Sequence, residues 1–189
     1  MSDSDLEIFC RQVRDRSSEN KRAISLLYQN SLPGNMMSIL RQELDSMVRC
    51  IFLRSIEDQS YRQALIHDAI SGKQWRAPDG KRKITDREMV DISSHLHGWT
   101  RNVYSFGCAF IHLSNYHDYS NRDPFLSVSS DEKQKILHYL GYYHGFHTER
   151  TLTFNDIIPL LPAVFEKILA NLECVLADLE KNPPCAIFD

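Results

Sequence analysis

The sequence is short of the residues that turn a chain. Only 7 glycines and 7 prolines are spread over 189 residues, which excludes a fold of many short strands joined by tight turns and favours long helices. It also lacks an excess of positive charge. The 22 lysines and arginines stand against 25 aspartates and glutamates, for a net charge of -3. That excludes a protein that coats nucleic acid through bulk charge and leaves only a local basic patch for such contact. No apolar run approaches the roughly 20 residues that cross a bilayer, so no membrane partner is expected. The opening MSDSDLEIFCRQVRDR has no apolar segment, and no secretory signal is expected. The five cysteines (Cys10, Cys50, Cys108, Cys174 and Cys185) are odd in number and scattered. None has zinc-knuckle spacing, and they read as reduced, packed thiols of a cytoplasmic protein. There is no HExxH, no repeat and no low-complexity segment, and no metal or other cofactor is expected.

What the chain does have is helical periodicity. Ser4 caps a first helix carrying Leu6, Phe9, Val13, Ile24 and Leu27, with Ser17 and Ser18 weakening it in the middle, so it reads as one bent helix or two short ones. After the Pro33-Gly34-Asn35 turn, residues 36–58 keep Met36, Ile39, Leu40, Leu44, Met47, Val48 and Ile51 in register. Arg41, Glu43, Asp45, Arg49 and Arg54 are expected on its outer sides. A short helix over 60–70 stops at Gly72, and Thr85 to Glu88 has capping-box spacing for a helix reaching about His97. Ser130 is expected to cap a short helix ending at Gly145. The last helix runs from about 155 to 181, and 182–189 form a tail. The predicted architecture is all-α: one domain over 1–189, a bundle of five to seven helices.

Residues 98–119, GWTRNVYSFGCAFIHLSNYHDY, are the stretch around which the rest is expected to be organised. At about 100° per residue, Arg101, Ser105, Cys108, His112, Asn115 and Tyr119 share one stripe, and Trp99, Val103, Phe106, Phe110, Leu113 and His117 lie opposite. The polar stripe makes His112 a candidate general acid or base, with Arg101, Asn115 and Tyr119 beside it in a half-buried seam. The plainer alternative is a hydrogen-bonded histidine between helices. A helix that is amphipathic on both sides leaves Tyr104, Tyr116 and Tyr119 partly exposed when only one face is buried, which predicts a homodimer.

Residues 73–84, KQWRAPDGKRKI, break the pattern at Pro78-Asp79-Gly80 and fit a small β-hairpin or an irregular loop. Trp75, Arg76 and Arg82, with Lys73, Lys81 and Lys83, are the candidates there for stacking a base and holding phosphates. A run of this size is otherwise simply a solvated loop.

Two segments resemble a known family. ILRQELDSMVRCIF, 39–52, is similar to the HEPN-like helix that places arginine and glutamate two residues apart in an apolar run. YSFGCAFIHLSNYHDY, 104–119, is similar to the later helix of that family, with Leu113-Ser114 followed by Tyr116 and His117. The likeness to the HEPN-like helical bundles, in particular their bacterial defence branch, spans roughly 30–120. It implies a helical bundle that is often dimeric and, in active members, cleaves RNA without metal through an arginine, a polar residue and a following histidine. Arg101-Asn102 opens that motif, but His112 lies beyond its spacing. Arg62 and His67 have the spacing on a shorter helix.

Two function classes follow. One is a non-enzymatic binding or interaction module. The other is a HEPN-type ribonuclease or RNA-binding protein, with His112 or His67 as acid or base and Arg101 or Arg62 stabilising phosphorane charge. The acidic balance and the interrupted motif favour the first.

Overall fold

The computed structural model describes residues 4–112 and 114–181; Leu113, Cys185 and the expected tail lie outside them. The chain is an all-α bundle without strands among these residues. Its helices are α1 (Asp5–Gln29), α2 (Pro33–Ser55), α3 (Gln59–Ile70), α4 (Asp86–Leu96), α5 (Thr100–Ile111), α6 (Ser130–His144), a single turn α7 (Phe154–Ile157) and α8 (Leu161–Glu180). The starts follow local chemistry. Ser4, Thr85 and Ser129 each form a reciprocal capping box with the glutamate three residues on, and Asp58 caps α3 from its side chain. Pro33 sits in the first turn of α2, where its missing N–H costs nothing.

The helix at the centre is α2, not the expected 98–119. It packs against α1, α4, α5 and α8, and 13 of its 23 residues are buried, which is why its apolar stripe is broad. Arg41 and Glu43, expected on its outer sides, are buried as well. Glu43 is fully enclosed. Its carboxyl accepts from Ser17 Oγ at 2.5 Å and from Asn20 Nδ2 at 2.9 Å. Ser17 therefore does not interrupt α1, which is continuous: Phe9, Val13, Ser17, Asn20 and Ile24 form one inward stripe whose polar members serve Glu43. Arg41 lies across the Tyr104 ring at 4.2 Å and pairs with Asp45 and Asp86. Gly107 permits this, since a Cβ there would stand 2.9 Å from the Arg41 Cβ.

The expected 98–119 helix ends at Ile111. Ser114 Oγ donates to the Ala109 carbonyl at 2.7 Å and accepts from the Tyr116 N–H at 3.1 Å. One side chain thus closes α5 and opens the 3₁₀ turn Asn115–Asp118. The turn folds the chain back, so Tyr116 and Tyr119 pack on Phe110, and Tyr119 also on Phe154. These tyrosines and Tyr104 each stay half-buried in the single chain, packed on its core yet partly open to solvent. The predicted hairpin reduces to one antiparallel bridge, Arg76 to Lys83, closed by Asp79 accepting from the Lys81 and Arg82 N–H groups.

Candidate functional site

The sequence-predicted catalytic residues do not converge. His112 is the exposed residue that follows α5, and Arg101 is an exposed residue of its first turn paired with Asp91 at 2.7 Å. Eleven residues of helix separate them by about 16 Å at about 1.5 Å per residue. The half-buried seam expected along this stripe is absent, because Ser105, His112 and Asn115 are all exposed. Arg62 and His67 face opposite ways on α3. Arg62 is buried, whereas His67 is exposed and meets Asp5 at 2.9 Å. Nor do the two pairs meet, since α3 packs on α1 while α5 packs on α2 and α4.

The basic loop is also organised differently from the expectation. Trp75 is buried against Phe52, with the Arg49 guanidinium over its ring, so it offers no face to a base. Arg76 donates to the Gly80 and Lys81 carbonyls, and Arg82 pairs with Glu88. Both arginines are spent on holding the loop to itself and to α4. Among the described residues, no group of three or more histidine, cysteine or acidic side chains is placed to hold a metal ion.

What the fold does build is an apolar cavity of about 90 Å³ between α5, α6 and α8, floored by α2. Trp99, Asn102, Val103 and Phe106 form one wall, at the i, i+3, i+4, i+7 spacing of a single helix face. This is the aromatic side of the stretch whose polar side looked functional. Met37 and Leu40 close the bottom, and Leu161, Val164 and Lys167 of α8 supply the opposite wall. The cover is α6, through Ile136, Tyr139, Leu140, Tyr143 and His144. It holds to the bundle by side chains more than by close helix contact. The Tyr139 hydroxyl reaches to 2.4 Å from where a Cβ of Gly98 would be, so glycine there lets α6 settle over the α4–α5 corner. Gly145, in the left-handed conformation at φ 64°, ends α6, and its N–H donates to the Gly141 carbonyl.

The polar groups of this wall have one character. The indole N–H of Trp99 and the amide nitrogen of Asn102 are buried donors without a hydrogen-bond partner among the described residues. Lys167 is the only ion among the lining residues, which include no aspartate or glutamate. Its ammonium lies 4.3 Å over the ring of Tyr143, itself exposed to solvent, which puts the charge at the mouth. The imidazoles of His144 and of His97, whose ring lies 5.8 Å from that of Trp99, are both held below the usual histidine range. Burial is the larger cause in each, and the Lys167 charge is the second.

These two histidines give a stability prediction. A depressed folded value means that the unfolded chain binds the protons first as acid is added. Their contribution is therefore complete above about pH 6.5 and is lost as the pH falls towards the folded values. The carboxylates held low by hydrogen bonds, such as Asp156 and Glu180, titrate in a separate and more acidic window. The melting temperature should fall between about pH 7 and pH 5, and H97Q/H144Q should flatten that slope. An unchanged slope in the double variant would assign it to other groups.

Sequence reasoning placed Trp99, Val103 and Phe106 on one face and took that face for core; it missed Lys167. The available signal was a lone cation inside the apolar stripe of the last helix, three residues after Val164 and one before Ile168. No family model, curated protein or solved structure matches the chain.

Proposed function

We propose that the chain is a non-enzymatic binding module whose ligand site is the cavity under α6. The observation that supports this is an open cavity lined almost wholly by apolar side chains, with a single lysine among them. A concave apolar pocket with few polar groups is the usual form of a small-molecule site. Four of the five cysteines, Cys10, Cys50, Cys108 and Cys174, are free thiols, which supports the cytoplasmic location in this reading. No described helix is long and apolar enough to cross a membrane. Self-association belongs to the same proposal. Tyr142 and Tyr143 are the exposed aromatics of α6, at 75% and 38%, and a second copy would cover them. Ribonuclease action rests on the HEPN resemblance alone, and RNA contact on that and on the exposed Lys73, Lys81 and Lys83.

The test uses Trp99 as reporter. W75F removes the only other tryptophan, and the change in Trp99 emission on titration with octanol, a single apolar chain narrow enough for the lumen, reads occupancy. The expected result is saturable binding of one octanol per chain, weakened about tenfold or more by V164F, which fills the cavity from α8, with the melting temperature little changed. Absence of saturable binding, or a V164F variant that binds as the parent does, overturns the proposal.

A further inference from the structure

We infer that the ligand of this cavity is an amphipathic monoanion, an aliphatic carboxylic acid whose tail enters between α5 and α8 and whose carboxylate rests on Lys167; this rests on the binding-module reading above. The cavity walls supply side chains of one kind inside and one charge at the edge. Met37, Val103, Phe106, Leu140 and Val164 offer nothing to a polar tail, and the one charged side chain of the lining is the cation Lys167.

Lys167 carries the argument for charge. Three basic side chains from α1 and α2 reach carboxylates of α8: Arg14 reaches Glu173 and Glu180, Lys21 reaches Glu166, and Arg54 reaches Asp178. Lys167 instead lies over the Tyr143 ring, and it acts on His97 and His144 as a nearby positive charge. An ammonium at the mouth of an apolar lumen gains most from an anion that brings its own apolar tail, because the tail draws the pair partly out of water and strengthens it. A cationic amphiphile would meet Lys167 with like charge. A neutral one would fill the lumen and leave the ammonium as it was.

The lumen also limits tail length. An apolar cavity of about 150 Å³ accommodates benzene, and this one is smaller but open at the mouth, so a short to medium chain fits better than a long one.

The experiment titrates the W75F protein with octanoate, octanol and octylamine, which share a tail and differ in headgroup, and reads each through Trp99 emission. Octanoate is expected to bind about tenfold more tightly than octanol, with octylamine weakest. In K167M the ratio of octanoate to octanol affinity should fall to about one. The conservative K167R should retain the advantage. Equal binding of octanoate and octanol in the parent, or an octanoate advantage that survives K167M, overturns the anionic ligand and leaves the apolar binding site standing. Failure of octanol to bind the parent in a manner sensitive to V164F removes the binding-module reading, and this inference with it.

Discussion

Replacing Glu43 with alanine should cost about 3–5 kcal/mol of folding free energy, one of the two largest single effects expected in this chain. Glu43 is fully enclosed between α1 and α2, and its two oxygens are the acceptors for Ser17 Oγ and Asn20 Nδ2. Truncation leaves both donors buried without partners, each at about 1–3 kcal/mol, and opens a void that the surrounding helices fill only in part. E43Q keeps the shape and one acceptor, so it should lose less than half as much. The triple variant S17A/N20A/E43M removes donors and acceptor together and restores apolar volume; it should recover much of the loss, since exchanging a whole buried polar group for packed hydrocarbon is often neutral. Urea denaturation of the four proteins measures this. A loss under about 1 kcal/mol in E43A would mean that water reaches the donors and that the site is not sealed.

The second large effect should come from Phe110. It is buried at the end of α5 and meets Phe106, Tyr116, His117, Tyr119 and Phe154, with ring centroids 5.3–6.2 Å apart. F110A removes a full aromatic side chain, with an expected cost of about 3–5 kcal/mol, and the edge and stacked ring contacts add to the area term. The effect should also be local. The 3₁₀ turn Asn115–Asp118 is held to α5 by these rings and by the Ser114 bond to Ala109. In F110A, amides of the 115–122 segment should therefore exchange at conditions where α1, α2 and α8 remain protected. F110L, which keeps much of the volume, should show about half the loss of stability and little change in that segment's exchange. Exchange that speeds up uniformly over the whole chain would show that the turn unfolds only with the bundle.

The Phe110 experiment bears on the proposed site without touching it. Phe110 continues the face that carries Trp99, Val103 and Phe106, and Phe106 joins the two: it lines the cavity and stacks within the aromatic group at 5.0 Å from Phe125 and 5.9 Å from Phe154. The wall is therefore backed by close-packed rings rather than by loop, which keeps it in one place while α6, attached through Tyr139, Leu140 and Tyr143, is the cover.

The sequence by itself determined the helices and most of their ends. Capping pairs such as Thr85 with Glu88 act within one turn, and stripes such as Phe165, Ile168, Leu172, Val175 and Leu179 repeat within one helix, so both are written in local spacing. Even the cavity wall was legible as a face. What only the tertiary structure decided is which face of each helix meets which partner. Glu43 and Arg41 read as surface charge because the sequence does not show Ser17 and Asn20 arriving from α1 or Tyr104 arriving from α5, and a buried polar group is tolerable only when such partners arrive. His112 read as part of a seam because helical periodicity continues on paper past Ile111, whereas Ser114 satisfies the carbonyl that would have carried the helix on. The candidate site was hidden for the same reason. Trp99 and Lys167 are 68 residues apart in the chain, and the cavity between them exists only because α2 holds α5 and α8 apart and α6 closes over the gap.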